Sequence, residues 1–283
     1  MNKNIDFKNI PIYIISFNRL EDLKLLIENL ENKGYKNIHI LDNKSTYPPL
    51  LEYYKNINHT IHYLDKNYGH MVFWECGQFD DVIKNQYYAI SDSDILPVDE
   101  CPDDFMELFY NILKKNPKFT KVGFSLKIDD IPDTFSKKEF MQTVEGQFYI
   151  LEHEFKYKGK KQLVYDASLD TTFALYKPNI KLSKFTKGIR TGFPYQTKHL
   201  PWYKDENNKS EEDIYYINHV KTGVSNYSID MTNKDLFNKF KREEKKETLR
   251  EKIFSVKNID YRRFKEITIL GLKFKFKRKT IKG

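Results

Sequence analysis

Two aspartates flank one serine in Asp92-Ser93-Asp94, directly after an apolar run that predicts a buried strand. Carboxylates at positions i and i+2 can face a common ligand where a turn bends the chain at a strand end. Carboxylate oxygens are hard ligands that suit Mg²⁺ or Mn²⁺, and such ions keep positions open for substrate phosphates. The alternative is that Asp92 and Asp94 only build a turn or cap a helix. Their position after a strand of a parallel α/β unit favours a metal site.

Two downstream groups of acidic residues could take a proton from a hydroxyl group. Asp170 is the first candidate and Asp166 the second, because both precede an apolar strand, with turn capping as the alternative. Asp213, within the acidic run 211–213, is the rival candidate base. An acidic helix N-terminus is the alternative for that run.

Three further residues carry side chains suited to phosphate, metal or sugar. His199 could complete an Asp–Asp–His metal set through a neutral imidazole, or instead bond to a diphosphate. Trp202 could stack on the face of a ring-shaped ligand such as a sugar, because its indole is a large amphipathic face. Arg190 could hold a phosphate with two hydrogen bonds, and a surface salt bridge is the alternative.

These residues must be positioned by an alternating series of strands and helices. The series comprises strands over 10–16, 37–41 and 60–64, and helices over 20–30 and 48–54. A β-α-β-α-β series is typical of a parallel sheet with helices on both faces. Ligands of open α/β sheets bind at the carboxyl ends of the strands. The acidic residues at such ends are Asp42, Asp65 and the Asp92/Asp94 pair.

Later segments continue the α/β pattern with less regularity. The sequence predicts helices over 75–83 and 103–115, and strands over 86–90, 121–126, 162–165 and 171–176. Residues 184–213 lack clear periodicity, so we expect long active-site loops there.

Three blocks of the chain together resemble the family-2-type glycosyltransferases, which have the GT-A fold. They are residues 12–19, 41–46 and 91–94, and the resemblance covers roughly residues 8–230. It implies an α/β fold with a Rossmann-like, mostly parallel central sheet and helices on both faces. It also implies Mn²⁺ or Mg²⁺ as cofactor and a nucleotide-sugar donor, usually linked to UDP. The Gln/Arg-x-x-Arg-Trp motif usual in that family is missing, and residues 199–202 are its nearest analogue.

The resemblance also assigns binding roles to particular residues. Asp42 would accept a hydrogen bond from the base, with a helix or turn cap as the alternative, and the loop after the third strand would cover base and ribose. The residues expected at the nucleotide-sugar are Ser16, Asn18, Arg19, Asp42, Asn67, Gly69, Asp92, Ser93 and Arg190. The expected metal ligands are Asp92, Asp94 and His199.

Charge separates the body of the chain from its tail. The net charge is +8, but residues 231–283 hold 18 basic and 7 acidic side chains, which leaves residues 1–230 at −3. We therefore expect a catalytic domain over 1–230, with a nucleotide-binding half (1–130) and an acceptor-side half (131–230), and a basic appendage over 231–283.

Within the appendage, residues 234–257 predict a charged amphipathic helix, and the alternation of apolar and basic residues over 267–279 predicts a strand or hairpin. Six basic residues and no acidic ones follow position 270, a composition that anionic lipid attracts. A solvated tail, or a strand against the body, is the alternative. No signal segment or membrane span is evident, and the two cysteines fit a reducing compartment, so we expect a cytoplasmic protein with peripheral membrane contact.

The combined features predict a transferase that moves a sugar to a glycan or lipid-linked acceptor in surface polysaccharide or lipooligosaccharide synthesis. Inversion with a carboxylate base follows from the resemblance, and retention stays open. A nucleotidyltransferase is the first alternative, but the segment 16–20 lacks the glycine-rich phosphate loop that such an enzyme needs. A non-enzymatic basic protein that binds membranes or nucleic acid is the second. Basic charge confined to the tail argues against a nucleic-acid partner.

Overall fold

The chain folds around one large mixed sheet. The computed structural model describes residues 5–180, 187–220, 254–259, 264–269 and 272–277. Its strands are β1 (Ile12–Ser16), β2 (Ile38–Asp42), β3 (Thr60–Tyr63), β4 (Tyr88–Asp92), β5 (Ile95–Pro97), β6 (Lys121–Leu126), β7 (Glu152–Tyr157), β8 (Lys160–Ser168), β9 (Ala174–Tyr176), β10 (Lys187–His199), β11 (Phe254–Ile259), β12 (Phe264–Ile269) and β13 (Leu272–Lys277). Its α-helices are α1 (Glu21–Asn32), α2 (Pro48–Tyr54), α3 (Val72–Glu75), α4 (Asp80–Asn85), α5 (Phe105–Lys115), α6 (Lys138–Gly146) and α7 (Glu211–His219).

The large sheet has the strand order β3-β2-β1-β4-β9-β6-β10-β8-β7, and β5 pairs with β10. The pairings β1–β2, β2–β3, β1–β4 and β6–β10 are parallel. β9 runs antiparallel to both β4 and β6, so β6 points the same way as β4. Seven of the ten strands share one direction, and the predicted α/β class with a mostly parallel central sheet is confirmed.

Hydrophobic residues pack on both faces of this sheet. Every residue of β1 is buried, which is typical of a central parallel strand. Ile12 and Ile14 contribute to a core that includes the buried side chains of α1 and α5. Tyr13 and Ile15, which alternate with them, join a second core beside α3. The predicted helices on both faces are therefore confirmed.

Two expected elements differ from the structure. The helix expected over 75–83 is instead two short helices, α3 and α4, because Gly77 takes a φ of +73° between them and Phe79 turns inward to stack on Phe73 at 4.7 Å. The prediction of long loops over 184–213 is wrong. That segment contains β10, the longest strand among the described residues, and the start of α7.

The C-terminal region contains a second, antiparallel sheet of three strands, β11-β12-β13. The predicted strand or hairpin over 267–279 agrees with β12 and β13, which pair antiparallel. Most of the helix expected over 234–257 lies outside the described residues, and its last four residues belong to β11. The domain boundary expected at residue 230 also lies outside them. Where the structure is described, no helix is long and apolar enough to cross a bilayer.

Candidate functional site

The direction of chain progression through the sheet reverses between β1 and β4. β1, β2 and β3 follow one another toward one edge, and β4 then adds on the other side of β1. Both strands run the same way, so the residues after Ser16 and after Asp92 meet at one edge of the sheet. Open α/β sheets bind ligands in the crevice at such a reversal point. The candidate site is therefore built around the turn that follows β4.

Backbone hydrogen bonds fix the turn formed by Asp92, Ser93 and Asp94. The Asp92 N–H donates to the Thr171 carbonyl and the Ser93 N–H to the Ile15 carbonyl, each at 3.1 Å. The turn is thus attached to β1 on one side and to the loop before β9 on the other. Its two carboxylates leave the turn toward different neighbours.

Asp94 faces His199. The Asp94 Oδ2 lies 3.6 Å from the His199 Nε2, and the two side chains are only 15% and 12% exposed. Pairing of β5 with β10 sets this arrangement by placing Ile95 opposite His199. Burial would raise the pKa of Asp94, but the charges of His199 and Arg19 hold it well below its usual range. Asp94 is therefore an ionised carboxylate beside two cationic or potentially cationic groups.

Asp92 bonds to a different neighbour, Thr171. The Thr171 hydroxyl donates to the Asp92 Oδ2 at 2.5 Å. Burial and the negative charges of Asp94 and Asp170 raise the pKa of Asp92 well above its usual range, although the Thr171 hydrogen bond opposes this. Two neighbouring carboxylates with unequal pKa values are the expected result of like charges at close range.

Only part of the expected metal set is assembled. Asp94 and His199 lie together and offer the oxygen and imidazole donors that a divalent ion accepts, while Asp92 bonds to Thr171. Among the described residues, no group of three or more His, Cys, Asp or Glu side chains is placed to hold a metal. A divalent ion that keeps waters and substrate phosphates needs only one or two protein ligands. Asp94 and His199 fit that smaller requirement.

Arg19 is held beside Asp94 by contacts with Asp22 and Tyr216. Its Nη1 lies 2.8 Å from the Asp22 Oδ2, and its guanidinium carbon lies 4.0 Å from the centre of the Tyr216 ring. Lys204 also contacts Asp22, with its Nζ at 3.1 Å. Burial would lower the pKa of Arg19, but Asp94, Tyr216 and Asp22 raise it above the usual value. The result is a fixed, buried positive charge next to the turn.

Helix α7 caps the helix that starts after Arg19. The Glu212 Oε2 accepts the backbone N–H groups of Leu20 at 2.6 Å and Glu21 at 3.1 Å. Leu20 is the N-cap residue of α1 and has no side-chain cap of its own. A residue almost 200 positions downstream therefore satisfies N–H groups that the first turn of a helix leaves unpaired.

Asp213 is occupied as a helix cap and an ion-pair partner. Its Oδ2 accepts the Ser210 hydroxyl at 2.8 Å, the Ser210 Oγ accepts the Asp213 N–H at 3.1 Å, and its Oδ1 lies 3.0 Å from the Lys204 Nζ. Burial raises the pKa of Asp213, but Lys204 and Ser210 lower it below the usual value overall. The acidic run 211–213 thus forms a helix N-terminus, the alternative noted for it, and Asp213 is a poor candidate for the base.

Ser16 and Asp42 bond to Tyr54. The Tyr54 hydroxyl donates to the Ser16 Oγ at 2.9 Å and lies 3.4 Å from the Asp42 Oδ1. The Ser45 N–H donates to the Asp42 carboxylate at 3.2 and 3.3 Å. Burial raises the pKa of Asp42, against the hydrogen bonds from Ser45 and Tyr54. Asp42 is only 3% exposed and caps a turn, so in this conformation its carboxylate is closed to a nucleotide base.

Asn18 connects the loops that follow β1 and β2. Its Oδ1 accepts the N–H groups of Thr46 at 2.7 Å and Tyr47 at 3.0 Å, and its own N–H donates to the Ser45 Oγ at 3.0 Å. It adopts a φ of 51°, a left-handed conformation that asparagine tolerates better than most residues. Asn18 therefore shapes the floor of the site rather than facing solvent.

Asn67 and Gly69 form a tethered loop at the neighbouring strand end. The Gly69 N–H donates to the Asn67 Oδ1 at 2.8 Å, and the Asn43 side chain donates to the Gly69 carbonyl at 2.9 Å. Gly69 has a φ of +73°, a conformation that side chains disfavour. The loop is thus fixed to the end of β2, next to the segment that Asn18 binds.

Asp170 lies at the other side of the turn, in a cluster of charges. It is exposed to solvent, its Oδ1 accepts the Thr172 hydroxyl at 2.8 Å, and its charge reaches Arg190 and Lys121. The protein atoms around the Asp170 carboxylate displace water and so raise its pKa. Arg190, Thr172 and Lys121 oppose this effect and lower the pKa below its usual value overall. Burial also lowers the pKa of Lys121 to about 8. Asp170 is therefore ionised and accessible.

Arg190 forms a buried ion pair with Glu145. Its Nη1 lies 2.7 Å from the Glu145 Oε2, its Nε donates to the Ser168 carbonyl at 2.8 Å, and its guanidinium carbon lies 3.9 Å from the centre of the Phe148 ring. The side chain of Arg190 is only 4% exposed and is paired with Glu145. Arg190 therefore neither faces a phosphate nor forms a salt bridge at the surface, which were the two expected alternatives. Arg190 supports Asp170 electrostatically instead.

Asp166 lies apart from this cluster. Asp166 pairs with Ile189 across the strands, whereas Tyr165 pairs with Arg190. Side chains alternate between the faces of a strand, so Asp166 lies on the opposite face from Arg190. Of the two candidate bases in this segment, the structure brings only Asp170 to the site.

Trp202 lies behind His199. Its ring is 4.8 Å from the His199 ring in an edge-to-face arrangement, and the residue is 3% exposed. The face that an acceptor sugar would need is therefore covered in this structure. Trp202 instead packs against His199 and fixes the orientation of the imidazole toward Asp94.

Several residues that build the site were not singled out from the sequence. They are Asp22, Lys121, Glu145, Thr171, Lys204 and Tyr216. Glu212 was named only as part of the acidic run 211–213, without its role as a cap. Asp22 alone had a local signal, because an arginine three residues before an aspartate at a helix start favours an i, i+3 pair. The others meet their partners only through the tertiary fold.

No protein-family model matches the chain, and a search of curated proteins also finds no match.

Proposed function

We propose that this chain is a metal-dependent glycosyltransferase of the GT-A type. It transfers a sugar from a UDP-linked donor to a glycan or a lipid-linked acceptor in the synthesis of surface polysaccharide or lipooligosaccharide. The observation that carries the proposal is the meeting of Asp94, His199 and Arg19 at the point where the strand order reverses between β1 and β4. Nucleotide ligands of open α/β sheets bind at this place.

Different groups of the site would bind different parts of the donor. Mn²⁺ or Mg²⁺, when bound, neutralises the charge that develops on a departing diphosphate. Asp94 and His199 would hold the ion, and Asp92 lies two positions before Asp94 in the turn. Arg19 supplies a permanent positive charge whose position Asp22 and Tyr216 determine. Preorganised charges of this kind need little rearrangement when the bond breaks.

Asp170 is the residue best suited to the acceptor hydroxyl. In a single displacement, the hydroxyl oxygen attacks the anomeric carbon, the bond to the diphosphate oxygen breaks, and the hydroxyl proton passes to the Asp170 carboxylate. Such a step inverts the anomeric centre. The support for Asp170 is that it is an exposed residue with an ionised carboxylate beside the turn, whereas Asp213 is occupied and Asp166 lies on another face.

The direct test is hydrolysis of nucleotide-sugars by the purified chain, with Mn²⁺ and after its removal by a chelator. We expect Mn²⁺-dependent release of the nucleotide, and its loss in Asp94→Asn with the fold retained. Asp99→Asn is a matched control, because Asp99 is exposed a few residues further on, beyond β5. Wild-type activity in Asp94→Asn, or equal losses in the two variants, would contradict the proposal.

A further inference from the structure

A cavity of about 420 Å³ opens beside the Arg190–Glu145 pair. Its volume falls within the range of ligand pockets in proteins, about 300–1,000 Å³. Its walls include Asp129 from the segment after β6, Gln142 from α6 and Gln196 from β10. Because β6 runs in the same direction as β4, this cavity lies along the same edge of the sheet as the Asp94 turn.

The cavity connects to the site through one row of contacts. Tyr149 and Tyr165 form one wall, with ring centres 4.9 Å apart, and Tyr165 pairs across the strands with Arg190. Arg190 binds Glu145, which lies on α6 between the cavity residues Gln142 and Gly146, and its charge acts on Asp170. A molecule in the cavity would therefore lie next to the Arg190–Glu145 pair, on which the charge of Asp170 also acts.

The polar groups of the cavity are arranged to accept hydrogen bonds. The Gln196 Nε2 donates to the Ser125 Oγ and to the Tyr149 hydroxyl, each at 3.1 Å, which uses both of its N–H groups. The Gln142 Nε2 donates to the Ile128 carbonyl at 2.8 Å. Both amides are thereby fixed, and their carbonyl oxygens remain as acceptors for hydroxyl groups of a ligand.

The charge of the lining excludes anions. Of the residues that line the cavity, only Asp129 carries a charge at neutral pH. The Lys127 ammonium, which is not part of the lining, already pairs with Asp129 at 2.6 Å and with Asp130 at 3.7 Å. A phosphate or carboxylate placed in the cavity would therefore meet a carboxylate and amide oxygens, and no cation among the lining residues would offset its loss of water. An uncharged molecule rich in hydroxyl groups fits these walls, with the tyrosine rings as an apolar surface.

We infer that this cavity binds a neutral sugar residue of the acceptor, a hexose or an N-acetylhexosamine, and rejects uronic acids, sialic acid and phosphorylated sugars. The inference rests on the proposed function, because it uses the transfer reaction to explain why a sugar binds next to Asp170. In this inference, the cavity and its two glutamines determine which acceptor sugars bind.

The test measures binding without any donor. Saturation-transfer NMR on the whole chain compares methyl glycosides of glucose, galactose and N-acetylglucosamine with those of glucuronic acid and sialic acid. We expect the neutral glycosides to bind and the acidic ones to fail. Gln142→Leu removes one acceptor and should weaken binding about three- to tenfold. Gln147→Leu is the matched control, since Gln147 is exposed and outside the cavity.

A second variant keeps the inference testable if Gln142→Leu disturbs α6. Asp129→Lys changes an exposed residue and reverses the only charge in the lining. Acidic glycosides should then gain affinity relative to neutral ones. Preference of the wild type for acidic glycosides, or equal effects of Gln142→Leu and Gln147→Leu, would overturn the inference.

The outcomes also separate this inference from the proposed function. A wild-type chain that hydrolyses nucleotide-sugars but binds no glycoside keeps the function and overturns the acceptor cavity. A chain that binds neutral glycosides but releases no nucleotide keeps a sugar site and loses the transferase proposal.

Discussion

The long-range cap that Glu212 gives to helix α1 leads to a prediction about stability. Glu212→Ala removes a carboxylate that is 4% exposed and accepts the N–H groups of Leu20 and Glu21. Those N–H groups would become unpaired at a buried helix start. The neighbouring Glu211 occupies the same first turn of α7 but is exposed to solvent, so Glu211→Ala is a matched control.

The size of the effect follows from the two lost hydrogen bonds. Loss of an N-cap costs about 0.5–2 kcal/mol, and hydrogen bonds to a charged group contribute about 1.5–3 kcal/mol each. Burial raises the pKa of Glu212, which shows that removing its carboxylate from water costs free energy. This cost offsets part of the stability that the two hydrogen bonds contribute. We therefore expect the unfolding free energy to fall by about 2–4 kcal/mol for Glu212→Ala. Glu211→Ala should change it by less than about 1 kcal/mol, because an exposed acid near a helix N-terminus contributes only about 0.3–1 kcal/mol.

Urea denaturation followed by far-UV circular dichroism measures both variants against the wild type. Thermal melting gives a second reading, with about 2–4 °C expected per kcal/mol in a domain of this size. Equal losses in the two variants would refute the cap, since they would show that Glu212 contributes no more than an exposed acidic residue in the same turn.

Three further predictions concern the sheet, the ion pair and the tail. Burial and the charge of His62 lower the pKa of His39 from 6.5 to about 4, so the unfolded chain binds more protons between these values. The unfolding free energy should have its full value above pH 6.5 and decrease as the pH falls toward 4. Solvent screens this half-buried group, so the decrease should be well below about 3 kcal/mol, and urea titrations of His39→Gln should show a weaker pH dependence. Glu145→Ala leaves the buried Arg190 without its carboxylate and should cost about 3–5 kcal/mol in the same assay, with Glu145→Gln costing less. Deletion of residues 271–283 should reduce sedimentation with anionic liposomes more than it reduces activity on a soluble acceptor, and unchanged sedimentation would remove the membrane contact.

Much of the fold could be predicted because its first half follows local rules. The buried run before Ser16 and the helical spacing of Leu23, Leu26 and Leu30 each identify an element from a short window of sequence. β10 could not be recognised in this way. It contains Gly192 and Pro194, and its register with β6 shifts between residues 191 and 196, so neither strand alternation nor a helical period is visible.

The candidate site was predictable only where chemistry and position along the chain coincide. Asp94 could be found because it follows a buried strand, and His199 because an imidazole can complete a metal set with two aspartates. Asn18 and Asp42 were expected in the pocket only from the family resemblance, and their side chains are used to hold loops together. A motif reports which residues lie near a site, whereas hydrogen-bond competition within the fold decides which of them face the ligand.

The most direct test of the account is binding of UDP by calorimetry, with and without Mn²⁺, in the wild type and in Asp94→Asn. In the proposed function, the diphosphate binds at the turn after β4, with Asp94 and His199 holding the ion. We therefore expect Mn²⁺ to strengthen UDP binding to the wild type, and we expect Asp94→Asn to abolish this effect while Asp99→Asn preserves it. Binding of UDP that is equally strong without Mn²⁺, or unchanged in Asp94→Asn, would contradict it.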